Sequence, residues 1–215
     1  MMDGFVRIWC LRHAESENVT AGVAGAVPAA PLTGHGREQA AGAAGILTGE
    51  PIAGIYCSTA LRARQTAEFL APSPAVTIVE MPELAEVGIG RYEGTTDPAV
   101  HRLTADVLRA WVVDHDLERK VADGETGREV VARMTAALGV ITRAHRGETV
   151  AVVGHVASLT AALAALCRLG ADVWGAPLPH AIPFAVDFDG EDWHCPSWPG
   201  ARPRWTMDPF RVTTT

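Results

Sequence analysis

Short apolar runs alternate with helical patterns along the chain. The run at 6–11 is almost unbroken and lies between charged residues, which is typical of a strand covered on both faces of a sheet. Similar runs follow at 52–57, 76–79 and 149–153. Apolar residues recur at helical spacing between these runs, and helices are predicted from Thr33 to about Thr48, from Ser58 to beyond Phe69, over 97–119, from Thr126 to Gly147 and from His155 to Gly170.

The ends of these elements carry sequence signals. Thr33 and Ser58 are predicted N-caps, and 126–129 is a capping-box sequence. Asp189-Gly190 lies between two short apolar runs and predicts a hairpin. Strands that alternate with helices imply a mainly parallel sheet with helices on both faces. The predicted fold is therefore of the α/β class, a three-layer α/β/α sandwich with an antiparallel edge, formed as a single domain by all 215 residues.

Composition excludes several kinds of partner. Lys and Arg number 18 against 25 Asp and Glu, for a net charge of −7, which argues against nucleic acid or an anionic membrane as the main partner. No segment approaches the roughly 20 apolar residues that span a bilayer, and the first residues lack the basic region of a signal peptide. The four cysteines are far apart and show no zinc-site spacing. We therefore expect a soluble, cytoplasmic protein with reduced thiols and no metal centre.

Polar residues follow three of the predicted strands at the point where each strand ends. Arg12-His13 follows the first strand, Ser58 the second and His155 the strand at 149–153. Because ligands of open α/β sheets bind just outside the carboxyl ends of the strands, these residues are expected to converge. With Arg62 on the helix after Ser58, they would form a cationic cup that suits a phosphoryl group.

Five segments in this order resemble the histidine phosphatase superfamily, the phosphoglycerate mutase-like proteins of branch 1. They are LRHAESEN at 11–18, PLTGHGREQA at 31–40, STALRARQTA at 58–67, LAEVGIGRYEG at 84–94 and VAVVGH at 150–155. A lone Arg-His pair would be weak evidence, whereas five ordered motifs over most of the chain are specific. The resemblance implies a phosphoglycerate mutase-like fold and a phosphatase or phosphotransferase activity.

The resemblance also implies a role for each matching residue. His13 would attack phosphorus as the nucleophile and become a phosphohistidine, which requires a neutral ring whose other nitrogen donates to a fixed acceptor. Arg12 and Arg62 would bind the phosphoryl oxygens and lower the pKa of His13. His155 would stabilise charge on the transferring group.

Three further residues complete the expected site. Glu86 matches the proton donor to the leaving alkoxide, although Glu83 and Glu93 lie close to it in the sequence. Ser16 and Asn18 are candidate phosphate contacts, with the alternative that they only shape the loop. No metal or other cofactor is expected, because the protein groups supply the positive charge that Mg²⁺ provides in other phosphotransferases.

The sequence favours hydrolysis over the other activities of the superfamily. Phosphoglycerate mutases resemble one another in carrying an Arg directly after the acid, whereas Val87 and Gly88 follow Glu86 here. Without that carboxylate clamp, intramolecular transfer loses the binding energy that holds its intermediate. A secreted acid phosphatase or phytase is disfavoured by the lack of a signal peptide and of paired cysteines, and a pure phospho-ligand binding module by the intact set of site residues.

The substrate is expected to be a small phosphomonoester. The 19–31 loop should overhang the pocket, and its Val and Pro residues suit a partly apolar metabolite phosphate better than a polyanion. A phosphoprotein phosphatase stays open as an alternative, because a shallow pocket would favour it. The sequence also leaves open whether the chain forms a homodimer.

Overall fold

A six-stranded mixed sheet organises the protein, whose computed structural model describes residues 4–71, 73 and 75–200. The spatial order is β3-β2-β4-β1-β5-β6. The first four strands in this order are parallel, and β5 and β6 add an antiparallel edge. The strands are β1 (Val6–Arg12), β2 (Ile52–Cys57), β3 (Ile78–Glu80), β4 (Thr149–Gly154), β5 (Phe184–Phe188) and β6 (Trp193–His194).

Helices cover both faces of the sheet, as the apolar runs predict. They are α1 (Glu17–Thr20), α2 (Gly34–Ile46), α3 (Leu61–Leu70), α4 (Pro98–Val112), α5 (Gly127–Ala144) and α6 (Val156–Leu166). Alternate residues of β4 belong to two different core clusters, Val150 and Val152 to one and Ala151 and Val153 to the other. The first cluster contains residues of α4, α5 and α6, and the second contains residues of α2 and α3. The three-layer α/β/α fold is therefore confirmed, including the antiparallel edge.

Two predicted caps form, and they shape the surroundings of the site. Thr126 and Glu129 make the capping box at the start of α5. The hydroxyl of Thr33 accepts from the Gly36 N–H at 2.9 Å and caps α2. Gly36 packs so closely on the chain after β1 that a Cβ there would overlap the carbonyl oxygen of Glu15.

One predicted cap is wrong, and one predicted loop contains a helical turn. Ser58 does not cap α3: the N-cap is Ala60, and the Ser58 hydroxyl accepts from the Ala60 N–H at 3.2 Å. Helix α3 therefore begins at Leu61, two residues later than a cap at Ser58 would place it. The single-turn helix α1 lies at the start of the segment predicted to be a loop.

Several predicted boundaries are also wrong, and local backbone turns explain two of them. Helix α4 ends at Val112 rather than near 119, because His115 adopts a positive φ of 57° and the Trp111 indole donates to the Arg119 carbonyl. Helix α6 ends at Leu166 rather than Gly170, close to Arg168 with its φ of 54°. Strand β3 is shifted to Ile78–Glu80, and residues 201–215 of the predicted single domain lie outside the described residues.

The parallel register brings the ends of three strands to one edge of the sheet. Arg12 at the end of β1 pairs with Gly154 of β4, and Cys57 of β2 pairs with Val153. The next residue, His13, donates its backbone N–H to the Gly154 carbonyl at 2.9 Å. In the described part of the chain, no helix has both the length and the apolar character needed to cross a bilayer.

Candidate active site

The His13 ring lies at the centre of this edge and is 3% exposed. Its Nε2 accepts from the Nε–H of Arg62 at 3.1 Å, and its Nδ1 lies 2.7 Å from the Ala14 carbonyl oxygen. Because a guanidinium can only donate, Nε2 is the unprotonated nitrogen and Nδ1–H is the donor to Ala14. Burial lowers the pKa of His13 well below its usual range, and the nearby His155 and Arg62 lower it further. The ring is therefore held neutral, with its lone pair on Nε2.

Arg62 connects the site to the loop above it. Its Nη1 donates to the Val27 carbonyl at 2.7 Å, and its Nη2 donates to the Ala26 carbonyl at 2.8 Å and to Nδ1 of His155 at 3.2 Å. With the bond to His13, four of the five guanidinium N–H groups have protein partners. We call residues 19–27, which these bonds hold over the site, the lid.

His155 and Arg12 carry nitrogen atoms without a partner. Nδ1 of His155 accepts from Arg62, so the proton of the neutral ring lies on Nε2, which has no hydrogen-bond partner in the described part of the chain. Burial and the positive charge of Arg62 lower the pKa of this ring well below its usual range. Arg12 donates from Nη1 to the Leu178 carbonyl at 3.1 Å, while its buried Nε is unpaired within the same residues. Unsatisfied buried donors are costly, so both are suited to an anionic ligand.

The Glu86 carboxylate is held at the N-terminus of α6. It accepts from the backbone N–H groups of Ser158 at 2.9 Å, Ala157 at 3.3 Å and Val87 at 2.9 Å. Its charge acts on both guanidinium groups: burial lowers the pKa of Arg12 and of Arg62, and Glu86 opposes this shift. The backbone of α6 thus fixes a carboxylate beside the two arginines.

The two neighbouring acids, Glu83 and Glu93, do not line the cavity. Glu83 is exposed. Glu93 accepts from the Ile89 N–H with one oxygen and from the Ala26 N–H with the other, at 2.8 and 2.7 Å. It therefore joins the acid-bearing segment to the lid, and of the three carboxylates only Glu86 lines the cavity described below.

Ser16 and Asn18 are both buried but lie differently. The Ser16 hydroxyl donates to Oδ1 of Asn18 at 2.7 Å. Asn18 lines the cavity, and its amide nitrogen lies 3.5 Å from the Val23 carbonyl. Ser16 does not line the cavity, so the geometry favours a role in orienting Asn18 over a phosphate contact.

A cavity of about 360 Å³ opens above His13. Arg12, His13, Asn18, Arg62 and Glu86 line its polar end. The histidine predicted from the VAVVGH motif packs behind this end rather than lining it, and its ring lies edge-on to that of His13, with centroids 5.1 Å apart.

Two residues near the site were not predicted. Nδ1 of His180 lies 2.8 Å from the backbone oxygen of His13, and burial lowers the pKa of this ring. Arg133 of α5 binds the backbone around Glu86, with Nη1 2.9 Å from the Ala85 carbonyl. No motif identifies either residue, because both act through backbone oxygens that any sequence supplies.

Comparison with known proteins places the chain in a family. The family model of the histidine phosphatase superfamily, branch 1, matches residues 8–199. The adenosylcobalamin/alpha-ribazole phosphatase of Escherichia coli strain K12 is 25% identical over 187 residues, which cover 86% of this chain and 91% of the relative. Phosphoserine phosphatase 1 of Hydrogenobacter thermophilus is 28% identical over 169 residues, 78% of each chain.

Solved structures show the same fold. Bacillus stearothermophilus YhfR superposes with a TM-score of 0.76 at 26% identity, covering 89% of this chain and 95% of its own. Mycobacterial glucosyl-3-phosphoglycerate phosphatase superposes with a TM-score of 0.76 at 23% identity, over 91% and 99% of the two chains. Because the family model matches most of the sequence and the solved structures share the fold, the chain belongs to branch 1 of the histidine phosphatase superfamily.

Proposed function

We propose that this chain hydrolyses small phosphomonoesters through a phosphohistidine formed at Nε2 of His13. It is a phosphoric monoester hydrolase by its family and by relatives that are named as phosphatases. The observation that carries the proposed mechanism is the His13 tautomer, because Nδ1–H is bound to the Ala14 carbonyl and the lone pair of Nε2 faces Arg62. A neutral, oriented imidazole is what attack on phosphorus requires.

The first step transfers the phosphoryl group. The lone pair of Nε2 on His13 forms the N–P bond while the bond from phosphorus to the ester oxygen breaks, and the leaving alkoxide takes a proton from Glu86, whose carboxyl group enters this step protonated and leaves it as the carboxylate. Arg12 and Arg62 stabilise the negative charge on the phosphoryl oxygens, and His155, behind this end of the cavity, orients Arg62 by accepting from its Nη2. In the second step Glu86 removes a proton from water, whose oxygen attacks phosphorus, and His13 leaves with inorganic phosphate as the product.

The proposed reaction needs no metal ion. Two guanidinium groups and two imidazoles surround the same point, and they supply the electrostatic stabilisation that divalent cations give other phosphoryl-transfer enzymes. In the described ranges, no three His, Cys, Asp or Glu side chains are grouped as ligands of an ion.

Hydrolysis is favoured over transfer to a second hydroxyl group. Val87 and Ile89 of the acid-bearing segment line the cavity, where a mutase would need a cation to hold a carboxylate. The lid covers the site, which favours a small molecule over a phosphorylated protein side chain, because a protein substrate needs an open approach. We also infer a cytoplasmic location: Cys10, Cys57, Cys167 and Cys195 are free thiols, as in a reducing compartment.

Trapping the intermediate tests the proposed mechanism. Wild type mixed with a ³²P-labelled phosphomonoester and quenched in alkali should retain label, which acid then releases, and His13→Ala should retain none. His35→Ala is the matched control, because His35 is exposed on α2, where its ring pairs with Gln39 and Glu38. Activity that survives His13→Ala would overturn the nucleophile, and activity lost in EDTA would overturn the metal-free mechanism.

A further inference from the structure

The cavity extends beyond its polar end into a second region between the lid and helix α4. We call this region the chamber. Its walls are almost entirely apolar, and the side chains that form them are Val19, Val23, Ile89, Val107, Leu108, Trp111, Val121 and Val156. A phosphomonoester whose phosphorus lies at His13 would extend its leaving group into the chamber, because the strand ends close the other side.

The two polar side chains that α4 adds to the chamber form hydrogen bonds with backbone oxygens. His101 and Thr104 are the only polar side chains that α4 contributes to the lining. Nε2 of His101 lies 2.9 Å from the Gly22 carbonyl of the lid, and the Thr104 hydroxyl donates to the His101 carbonyl at 2.8 Å. Apart from the groups at the phosphoryl end, no Arg or Lys among residues 4–71, 73 and 75–200 lines the cavity. A carboxylate or second phosphate entering the chamber would lose water and find no Arg or Lys among the described residues of its walls.

The far wall of the chamber is rigid. The Trp111 indole N–H donates to the Arg119 carbonyl at 2.8 Å, and the ring packs directly against Gly127, where a Cβ would lie 2.7 Å from it. Leu108, one helical turn earlier, is only half-buried. Leu108 packs against the edge of the core and is partly exposed, so a substitution there alters the chamber with less disturbance of the core than one at Trp111.

We infer, building on the proposed function, that the substrates are phosphomonoesters whose leaving alcohol is uncharged and largely apolar, and that Leu108 and Trp111 determine this specificity. A buried charge without a partner is strongly unfavourable, whereas each apolar group in a fitted pocket adds affinity. Phosphorylated hydroxy acids and amino acids, which carry a carboxylate next to the ester, are accordingly poor substrates. This distinguishes the chain from its relative named as a phosphoserine phosphatase.

A matched pair of substrates tests the inference. Hexyl phosphate and the phosphate ester of 6-hydroxyhexanoate have the same number of carbon atoms, and their leaving alkoxides have nearly the same basicity. They differ only in the terminal carboxylate. We expect kcat/KM for hexyl phosphate to be greater by about 10- to 100-fold. The ratio is measured on one enzyme sample, so incomplete folding of a variant cancels from it.

Three variants assign the effect to the chamber. Leu108→Arg should reverse the preference, since it supplies the missing cation. Leu108→Ala should lower kcat/KM for hexyl phosphate by about 10-fold with little change for the carboxylate ester. Leu103→Ala is the control, because Leu103 is a half-buried leucine of the same helix that does not line the cavity, and its ratio should equal that of wild type.

The outcomes separate this inference from the proposed function. Equal kcat/KM for the two esters in wild type, or an unchanged ratio in both Leu108 variants, would overturn the apolar chamber while leaving hydrolysis intact. Failure to hydrolyse either ester and p-nitrophenyl phosphate as well would overturn the proposed function itself. A wild-type preference for hexyl phosphate that reverses in Leu108→Arg supports both.

Discussion

Arg133 offers a sharp test of how the proposed proton donor is positioned. Its Nη1 donates to the carbonyls of Glu83 and Ala85 at 2.6 and 2.9 Å, and its Nη2 donates to the carbonyl of Glu86 at 3.3 Å. The same guanidinium forms an ion pair with Glu125, at 2.7 Å from Nε. Glu125 in turn accepts from the Gly88 N–H at 2.8 Å. Arg133 therefore fixes the acid-bearing segment without touching the cavity, and we predict that Arg133→Met displaces the Glu86 carboxylate.

The size of the effect follows from these contacts. A hydrogen bond to a charged group contributes about 1.5–3 kcal/mol when buried. The Arg133 and Glu125 side chains are 18% and 28% exposed, so water replaces part of what is lost. We expect the free energy of unfolding to fall by about 2–3 kcal/mol. A proton donor displaced by about 1 Å costs on the order of 10²-fold in rate, within the 10²–10⁴-fold that general acid catalysis supplies.

The assay compares leaving groups. The leaving group of an aryl phosphate with an acidic phenol is a stable phenolate anion that needs no proton, whereas the alkoxide released from an alkyl phosphate depends on the proton of Glu86. For Arg133→Met we expect kcat/KM, which reports only the steps up to release of the alcohol, to fall by about 10²-fold for alkyl phosphates and by less than about 5-fold for p-nitrophenyl phosphate. Arg133→Lys should recover part of the alkyl activity. Arg128→Met is the control, because Arg128 pairs only with the exposed Glu118 on the surface.

An equal loss of kcat/KM for alkyl phosphates and for p-nitrophenyl phosphate would refute this reasoning. It would mean that Arg133 supports the fold as a whole and not the delivery of a proton to the leaving oxygen. A urea titration of each variant separates a loss of folded protein from a loss of proton delivery. It shows whether the variant is still fully folded under the conditions of the activity assay.

Three further predictions concern stability. Burial lowers the pKa of His13 and of His155 below the unfolded-state value of about 6.5, so the unfolded chain binds more protons than the folded one. Urea titrations should therefore show that the free energy of unfolding falls as the pH drops below about 6.5, and that it falls less steeply in His155→Gln. An unchanged slope in this variant would contradict the prediction. Thr126→Ala removes the α5 cap and should cost about 1 kcal/mol by the same titration, and a neutral result would contradict the cap. Gly36→Ala places a methyl group on the Glu15 carbonyl and should lower the thermal midpoint by several degrees, whereas Gly42→Ala, at an open position of the same helix, should not.

Much of the fold could be predicted because its signals are local. Apolar runs and caps such as Thr126 depend on neighbouring residues, and they located all six strands and the five longer helices. The ends of α4 and α6 were misplaced because they depend on contacts with distant chain, such as the Trp111 indole on the Arg119 carbonyl. Ser58 was misassigned as a cap because a cap depends on where the backbone turns, which a serine in isolation does not determine.

Some groups of the site could be predicted from sequence motifs, and others could not. The motifs name His13, Arg62 and Glu86, because side-chain chemistry is written directly in the sequence. The groups that position them are backbone atoms, such as the Ala14 carbonyl and the N–H groups at the start of α6, and no residue type marks these. Arg133 was overlooked because an arginine on an amphipathic helix is ordinarily solvated. The chamber wall on α4 reads as a helical apolar face, and only the structure reveals that part of this face borders a cavity.

Arg62 has both a role that a motif predicts and contacts that only the structure shows. The motif marks it as a phosphoryl ligand, yet its Nη atoms donate to the Ala26 and Val27 carbonyls of the lid. Val27 has a φ of 35°, a conformation that is unfavourable for a β-branched residue and that persists only where other contacts enforce it. A phosphoryl oxygen can bind the one remaining N–H of Arg62 or the Nε–H that Nε2 of His13 gives up on attack, and any further contact must replace His155 or a lid carbonyl. Phosphate binding and the position of the lid therefore depend on the same guanidinium, and the lid that covers the chamber cannot be altered without altering the group that binds the phosphoryl oxygens.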